Sequence, residues 1–493
     1  MPREGTSVTE HFDVIVVGAG LSGIGAGYHL AKHCPQKSFV LLEGRGSIGG
    51  TWDLFRYPGI RCDSDMYTLG YAFKPWLGRK AIADGASILS YVREAAAEHG
   101  IDRKIRFNTR VKRAAWSTAE QRWTVETEQG PDGAAKTRAM FTCNFLFMCS
   151  GYYRYEAGYR PAFPGEARFK GPIVHPQAWT QDINYAGKRV VVIGSGATAV
   201  TLVPALAETA RHVTMLQRSP TYMVVRPSED PMALKLLRLL PARLAYGITR
   251  WKNVARGMYI YRLCKRQPEK IKALIVGGVR MALGPDYDVA RHFTPRYKPW
   301  DQRVCLVPDG DLFKAIRKGS VSVATDEIET FEETGIRLKS GQHLDADLIV
   351  TATGLELQPL GGAEIVVDGK PVELPKLMSY KGMMYSDVPN LAFAVGYTNA
   401  SWTLKCDLTC EYVCRLLNLM DRKGYRQCTP RRTDPTVTAE PWVDFTSGYV
   451  QRAAARMPKQ GSKRPWRLYQ NYALDLFSLH FGRLEDGTME FRG

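Results

Sequence analysis

The sequence predicts an α/β protein made of two doubly wound, Rossmann-like dinucleotide-binding domains and a helical insertion. Two observations predict the paired domains. A strand pattern, a glycine-rich turn and an apolar helix pattern follow one another at residues 12–30 and again at residues 188–206. A third observation predicts the insertion, because basic amphipathic helix patterns interrupt this alternation between residues 226 and 298.

The order of these patterns predicts that both dinucleotide-binding domains are discontinuous. We expect residues 1–165 and 345–493 to form the first domain, and residues 166–225 and 299–344 to form the second. The helical insertion then spans residues 226–298. The length of 493 residues agrees with about three structural units of roughly 150 residues each.

The composition is that of an ordinary globular protein, with 45% hydrophobic and 24% charged residues. No uncharged apolar run reaches the roughly 18 residues that a membrane-spanning helix needs. The N-terminus lacks the pattern of a signal peptide, because Gly18 and Gly20 interrupt its first apolar run. We therefore expect a cytoplasmic protein that is neither secreted nor membrane-spanning.

The net charge of +18 is compatible with a nucleic acid, an anionic membrane or an anionic cofactor as partner. Much of the excess lies in residues 226–303 and 422–467, which contain no zinc-knuckle, helix-turn-helix or RNA-recognition pattern. We therefore expect no nucleic-acid partner. Peripheral contact with an anionic membrane remains open, and a solvated basic surface is the alternative. The sequence gives no prediction of the oligomeric state.

The ten cysteines are scattered without the spacing of a disulfide framework, which fits a reducing compartment. Cys406, Cys410 and Cys414 recur every four residues and would lie on one helix face. No histidine or CxxC motif near them completes a metal site, so we expect a buried helix face and no bound metal. The absence of CxxC throughout the chain also argues against a disulfide reductase.

The first glycine-rich turn has the residue types that a bound dinucleotide requires. The run Phe12–Val17 is typical of a buried parallel strand and leads into a GxGxxG turn at Gly18–Gly23. Glycines let the backbone approach a pyrophosphate, whose charge the following helix N-terminus stabilises. The next strand pattern ends in Glu43, where a carboxylate can hold ribose hydroxyls. The candidate cofactor-binding residues are Gly18, Gly20, Ser22, Gly23 and Glu43.

The same pattern recurs in the second domain, where the turn Gly194–Ala199 follows a strand pattern at residues 188–193. After the next strand pattern, Gln217 and Arg218 occupy the place of the acidic residue. No carboxylate there repels a 2′-phosphate, and Arg218 can bind one. We therefore expect NADPH rather than NADH, unless Arg218 is only a solvated surface charge. The candidate residues are Gly194, Ser195, Gly196, Thr198, Ala199 and Arg218.

Two further apolar runs, Phe145–Gly151 and Leu348–Gly354, each predict a buried strand that ends in glycine. Core strands and direct cofactor contacts are equally compatible with these runs. Asn399, Ser401 and Trp402 are candidates for cofactor or pocket contacts, and core packing is the alternative for Trp402.

Two longer motifs distinguish among proteins that bind two dinucleotides. Residues Phe169–Trp179 read FKGPIVHPQAW, and residues Gly49–Asp63 read GGTWDLFRYPGIRCD. They match FxGxxxHxxxW and [AG]GxWxxxx[FY]P[GM]xxxD, the fingerprints of Baeyer–Villiger monooxygenases. The chain therefore resembles the class B flavoprotein monooxygenases of this type from Phe12 to Ala473. The resemblance implies FAD in the first domain and NADPH in the second.

The resemblance also implies roles for individual residues. Arg303 is implied to be the catalytic arginine, and Asp63 to be the carboxylate that limits its mobility and tunes its charge. A turn carboxylate is the alternative for Asp63. His175 is implied to hold the domains in register without reacting. Gln302 stands where many members have a lysine that grips the 2′-phosphate. Further cofactor contacts are implied for Gly50, Thr51, Trp52, Asp63, Tyr67 and Gln302.

The reaction that the resemblance implies begins with reduction of FAD by NADPH and formation of a C4a-peroxyflavin from O2. The peroxide then attacks a ketone, and an ester or lactone results. Arginine suits such a site because it stays charged when desolvated and offers several hydrogen-bond donors. Thioethers and thioamides are further expected substrates. Two alternatives remain: an N- or S-oxygenating monooxygenase without ketone activity, and a redox module that binds flavin and NADPH without turnover.

Overall fold

The computed structural model describes residues 9–131, 133–443 and 445–493. Residues 1–8, with which the predicted first domain begins, lie outside the described residues. Two large sheets with parallel strands, flanking helices and a helical insertion confirm the predicted fold class. The boundaries drawn between the domains stay a prediction.

The first glycine-rich turn lies at the carboxyl end of an inner parallel strand of the first sheet. The elements up to residue 148 are β1 (Glu10–Val17), α1 (Leu21–His33), β2 (Phe39–Leu42), α2 (Thr51–Leu54), α3 (Met66–Leu69), α4 (Gly85–Glu98), β3 (Ile105–Arg106), β4 (Thr109–Ser117), β5 (Arg122–Gln129) and β6 (Thr137–Met148). β1 pairs in parallel with β2 and β6, and Val14 lies opposite Phe39 and Phe145. β4, β5 and β6 form an antiparallel meander. The turn therefore follows the carboxyl end of a parallel strand, where α/β proteins bind ligands.

The second glycine-rich turn begins a second parallel sheet. Its first elements are β7 (Ile173–Val174), β8 (Arg189–Ile193), α5 (Ala197–Leu206) and β9 (His212–Gln217). β8 pairs in parallel with β9, which gives the second turn the same position relative to its sheet as the first.

The helical insertion follows a short strand that pairs outside this sheet. Its elements are β10 (Met223–Arg226), α6 (Pro231–Leu239), α7 (Ala242–Arg266), α8 (Pro268–Leu283) and α9 (Val289–Phe293). Arg250 of α7 is 7% exposed and donates hydrogen bonds to the carbonyl oxygens of Tyr67 and Gly70 at 3.0 and 2.7 Å. These bonds fix α7 against α3, because a buried guanidinium without its acceptors would be strongly destabilising. Across the described parts of the chain, no helix is both long and apolar enough to cross a membrane.

After the insertion the chain adds two strands to the second sheet and forms others that pair outside it. The elements are β11 (Cys305–Pro308), α10 (Asp311–Arg317), β12 (Val321–Thr325), β13 (Ile328–Glu332), β14 (Gly335–Leu338), β15 (His343–Asp345) and β16 (Leu348–Thr351). The strand order is β12-β9-β8-β16-β7, with parallel pairing throughout.

The last part of the chain returns to the first sheet. Its elements are β17 (Glu364–Val367), β18 (Lys370–Pro371), β19 (Ser379–Tyr380), β20 (Met384–Tyr385), β21 (Leu391–Phe393), α11 (Trp402–Lys423), β22 (Gln427–Pro430), β23 (Ala439–Pro441), α12 (Gly448–Ala453), β24 (Lys459–Gly461), α13 (Tyr472–Leu476), a π-helical turn (Phe477–Phe481) and β25 (Met489–Arg492). β21 pairs in parallel with β6, and α11 packs against α1.

The cysteines of α11 have the packing role that their spacing predicts. Cys406, Cys410 and Cys414 are at most 3% exposed and belong to the hydrophobic core between α11 and α1. All ten cysteines of the chain are buried free thiols. Within the described residues, no group of histidine, cysteine and acidic side chains could hold a metal ion.

Candidate active site

A cavity of about 700 Å³ is lined by both glycine-rich turns. This volume lies in the range of small-molecule and cofactor sites. The predicted site residues that line the cavity are Gly18, Gly20, Ser22, Glu43, Gly50, Thr51, Trp52, Asp63, Gly194, Ser195, Gly196, Thr198, Arg218, Gln302 and Arg303. Residues from both sheets, the Gly49–Asp63 motif and the segment before β11 thus meet around one space.

Three predicted site residues lie outside the cavity lining. A Cβ on Gly23 would lie 1.9 Å from the carbonyl oxygen of Gly18, and Ala199 is fully buried in α5, so both residues are packed against the protein. Their predicted cofactor contacts stay predictions. Tyr67 does not line the cavity, and its predicted cofactor contact stays a prediction. Its ring lies beside Tyr246 of α7, with 6.2 Å between ring centroids, because α3 packs against the insertion.

The first turn provides a cradle of backbone atoms. Gly18 has a φ of +105°, and a Cβ there would lie 2.7 Å from the carbonyl oxygen of Cys149. The carboxylate of Glu43 accepts hydrogen bonds from the N–H groups of Ala19 and Arg45 at 2.6 and 2.9 Å. Burial raises the pKa of Glu43, and these backbone hydrogen bonds partly oppose the shift. Glu43 therefore fixes the turn and also lines the cavity.

The second turn is built in the same way. Gly194 has a φ of +137°, and a Cβ there would lie 2.4 Å from the carbonyl oxygen of Ala352. A Cβ on Gly196 would meet nothing within 4 Å, so the space above this turn is open. Ser195 donates a hydrogen bond to the carbonyl oxygen of Ser219 at 3.1 Å, which ties the turn to the segment that follows Arg218. The turn thus presents backbone N–H groups to open space beside an exposed arginine.

Arg303 and Asp63 form an ion pair in the cavity wall. The Nη1 atom of Arg303 lies 3.0 Å from Oδ2 of Asp63, and the two side chains are 29% and 42% exposed. The buried neighbours Cys305 and Cys62 hold the two backbone segments in place. Burial acts to lower the pKa of Arg303, but the carboxylate of Asp63 opposes it, and the pKa lies above its usual value. Arg303 is therefore a permanent cation facing the cavity.

Three tyrosines beside this ion pair escaped the sequence prediction. Tyr152, Tyr153 and Tyr449 line the cavity, and the hydroxyl oxygens of Tyr152 and Tyr153 are 3.2 Å apart. Burial raises the pKa of Tyr153 to about 12 and that of Tyr152 well above its usual value, so both hydroxyls stay protonated at neutral pH. Their position just after Gly151 at the carboxyl end of β6 is a usable signal. Tyr449 lies in α12 and carries no comparable signal.

Trp402 both packs in the core and faces the cavity. Its Nε1–H donates a hydrogen bond to Oγ of Ser22 at 2.8 Å, and its ring centroid lies 4.9 Å from that of Tyr152. Trp402 also packs against the core between α1 and α11. The other residues whose roles the sequence leaves open, Asn399, Ser401, Gly151 and Gly354, line the same cavity.

Two buried polar atoms in the cavity wall fit a polar ligand, one as a donor to a phosphate oxygen and the other as an acceptor from an N–H or hydroxyl group. Nη2 of Arg61 and Oδ1 of Asn399 are buried and have no hydrogen-bond partner within the part of the chain that the structure describes. Buried polar atoms in native proteins nearly always have a partner. Together with the two backbone cradles, these atoms suit phosphate-bearing dinucleotides.

His175 connects segments of the chain and does not line the cavity. Its Nε2–H donates a hydrogen bond to the carbonyl oxygen of Gly354 at 3.1 Å, and its Nδ1 accepts one from the N–H of Gln177 at 3.2 Å. Burial lowers the pKa of His175, which keeps the ring neutral, as this pair of hydrogen bonds requires.

Comparison with known proteins gives relatives over nearly the whole chain. Residues 81–257 match the family described as flavin-binding monooxygenase-like, and residues 16–75 match the NAD(P)-binding Rossmann-like domain. The chain is 55% identical to the FAD-containing monooxygenase EthA of Mycobacterium tuberculosis, over 98% of each chain. It is 50% identical to the probable FAD-binding monooxygenase AlmA of Acinetobacter baylyi, over 98% of this chain and 96% of the relative.

Among solved structures, the chain is similar to an oxidized steroid monooxygenase bound to NADP. The TM-score is 0.76 at 22% sequence identity, and the alignment covers 98% of this chain and 99% of the other. At this level of identity the likeness shows the fold alone.

Proposed function

The chain belongs to the family of FAD-containing, class B flavoprotein monooxygenases that includes EthA, and we propose that it is an NADPH-dependent Baeyer–Villiger monooxygenase. In the proposed reaction a ketone, O2, NADPH and a proton give an ester or lactone, NADP⁺ and water. The observation that carries the proposal is the ion pair of Arg303 and Asp63 in the wall of a cavity that both glycine-rich turns line. Thioethers and thioamides are further proposed substrates, since the same reactive oxygen can be transferred to sulfur.

The two turns would hold the two cofactors. The cradle at Gly18 and the carboxylate of Glu43 suit the pyrophosphate and ribose of FAD, and the turn at Gly194 with Arg218 suits NADPH. When bound, the flavin accepts hydride from NADPH and activates O2, which no side chain can do. The protein's part is to bind, orient and supply charge.

Arg303 would stabilise the negative charge that develops on oxygen during transfer to the substrate. A fixed cation in a partly desolvated site needs little reorganisation at the moment of reaction. Asp63 would hold the guanidinium in one orientation through the 3.0 Å contact. The protonated hydroxyls of Tyr152 and Tyr153 would provide further hydrogen-bond donors near Arg303.

Arg218→Ala tests the preference for NADPH. We expect the KM for NADPH to rise about tenfold to a hundredfold, because a charge-assisted hydrogen bond to the 2′-phosphate is lost. The KM for NADH, which lacks that phosphate, should change less than about twofold. Arg211→Ala removes another exposed arginine outside the cavity lining and is the matched control. If Arg218→Ala raises the KM for NADPH and for NADH equally, Arg218 does not bind the 2′-phosphate.

Asp63→Asn tests the orienting role of Asp63. The amide keeps the shape of the side chain but removes the charge that pairs with Arg303, so we expect product formed per NADPH to fall about tenfold, with hydrogen peroxide released instead. Flavin content should not change. Asp286→Asn, on an exposed side chain of the insertion, is the control. If Asp63→Asn forms as much product per NADPH as the unsubstituted enzyme does, Asp63 is only a turn carboxylate and does not orient Arg303.

A substrate panel tests the reaction type. Ketones and thioethers are supplied in parallel to the purified holoenzyme with NADPH, and the products are identified by mass spectrometry. We expect esters or lactones from ketones and sulfoxides from thioethers. Oxidised sulfur or nitrogen compounds without any ester would restrict the activity to heteroatoms. NADPH oxidation that yields only hydrogen peroxide with every compound would support a redox module.

A further inference from the structure

We propose that the exposed face of α7 docks this protein onto an anionic membrane surface. Five side chains recur at intervals of three or four residues along the first two thirds of the helix, which places them on one face. We name them the α7 stripe: Leu244, Ile248, Trp251, Ala255 and Tyr259. All five are exposed, with Trp251 at 51% and Tyr259 at 64%.

The stripe faces away from the protein because the opposite face of α7 is buried against it. Ala245, Thr249 and Asn253 are buried, and Arg250 bonds to carbonyl oxygens beside α3. A helix that faced only water would carry polar side chains on its outer face. Nine of the sixteen large hydrophobic side chains exposed in the described residues lie in residues 231–283, so the apolar surface concentrates on the insertion.

The charge of the insertion matches an anionic surface. Residues 231–283 contain twelve lysines and arginines and a single acidic residue, Glu269, which gives a net charge of +11 out of the chain's +18. Arg262 and Arg266 continue the face of the stripe towards the end of α7 and are exposed. Apolar side chains followed by cations on one helix face are typical of helices that lie in the interface of an anionic bilayer.

A second copy of this chain fits the stripe less well than a lipid surface does. A symmetric dimer through this face would bring two copies of residues 231–283 together, each with a net charge of +11 and with Glu269 as its single acidic residue. Lipid phosphates supply the missing negative charge, and the acyl chains accept the apolar side chains.

An apolar column connects the stripe with the cavity. The ring centroids of Trp251 and Tyr472 are 5.6 Å apart, and Tyr472 packs against the cluster of Val254, Leu404 and Tyr397. Tyr397 in turn lines the cavity. We infer that the docked enzyme takes apolar substrate directly from the bilayer. This part of the inference rests on the proposed function, whereas docking itself does not.

Vesicle flotation with the purified holoenzyme tests docking. The holoenzyme should float with phosphatidylcholine vesicles that contain phosphatidylglycerol and not with phosphatidylcholine alone. The double variants Leu244→Ser with Ile248→Ser, and Arg262→Gln with Arg266→Gln, should each lower the partition coefficient about tenfold or more. High salt should release the unsubstituted protein, since it screens the attraction between the arginines and the lipid.

Matched controls replace similarly exposed side chains outside the insertion. Met140→Ser removes a side chain that is 49% exposed, and Arg432→Gln removes an exposed arginine. Neither should change the partition coefficient. Docking is overturned if the holoenzyme floats with neither vesicle, or if both double variants, the serine pair and the glutamine pair, float like the unsubstituted protein. The unsubstituted protein could instead form a dimer without lipid and float with neither vesicle. If that dimer dissociates in the Leu244→Ser, Ile248→Ser variant, the stripe binds a second copy of the chain.

Turnover of two ketones tests delivery from the bilayer. The Leu244→Ser, Ile248→Ser variant should turn over a water-soluble ketone at the unsubstituted rate and lose about tenfold on a long-chain ketone dissolved in anionic vesicles. Equal rates of variant and unsubstituted enzyme on the vesicle-borne ketone would overturn delivery. If the unsubstituted enzyme oxidises neither ketone, the proposed function fails, and flotation still decides docking.

Discussion

Replacing Arg303 by alanine is expected to lower the rate of product formation about a hundredfold to a thousandfold while NADPH consumption continues. The guanidinium lies in the cavity wall, paired with Asp63 at 3.0 Å, and it belongs to neither glycine-rich turn. Its removal takes away the charge that stabilises oxygen transfer, but it leaves both dinucleotide cradles in place. Stopped-flow measurement of NADPH oxidation, with parallel quantitation of product and hydrogen peroxide, separates the two steps.

Arg303→Lys is the matched variant for this experiment. Lysine keeps a positive charge but lacks the planar fork of donors, so we expect an activity between those of the alanine variant and the unsubstituted enzyme. Flavin content of each variant is measured first, because a loss of FAD would lower the product rate for another reason. If the alanine variant has full flavin content and an unchanged product yield, Arg303 is not a catalytic residue.

Replacing Gly23 by alanine is expected to cause the largest loss of bound flavin, with at least about tenfold less FAD per protein molecule. A Cβ at this position would lie 1.9 Å from the carbonyl oxygen of Gly18, a backbone atom that cannot move without opening the first turn. The ratio of flavin to protein absorbance measures the effect on the purified variant. Far-ultraviolet circular dichroism separates a loss of flavin from a loss of fold.

Gly277→Ala is the control for this substitution. Gly277 lies within α8, and a Cβ there would meet nothing within 4 Å. Alanine is the better helix former, so this variant should keep its flavin and unfold with a free energy equal to or about 0.5–1 kcal/mol above that of the unsubstituted protein. A Gly23→Ala protein that binds as much FAD as this control would contradict the packing role of Gly23.

The paired dinucleotide-binding folds were predictable because their signals are local. Strand patterns, glycine-rich turns and apolar helices lie within about thirty residues of one another in each half, as in other βαβ units. The pairing of Arg303 with Asp63 is different, because 240 residues separate them and no local pattern joins them. That pairing was implied by the family resemblance.

Other parts of the site depend on tertiary packing that no short pattern records. Tyr449 lines the cavity because α12 packs in one apolar cluster with Tyr152 and Tyr153, and Tyr67 lies outside the lining because Arg250 holds α7 against α3. The full length of α7 was also hidden, since Gly247 and Gly257 interrupt its helix pattern at a cost of about 1 kcal/mol each. The α7 stripe can be identified only once the structure shows which face of the helix is buried.

Oxygen-isotope labelling tests the monooxygenase assignment most directly. Purified holoenzyme is supplied with NADPH, a ketone and isotopically labelled O2, and product mass and NADPH consumption are measured together. Baeyer–Villiger oxygenation predicts an ester that carries one labelled oxygen atom, with one NADPH consumed for each ester formed. Labelled hydrogen peroxide as the sole oxygen product, with the ketone recovered unchanged, would contradict it.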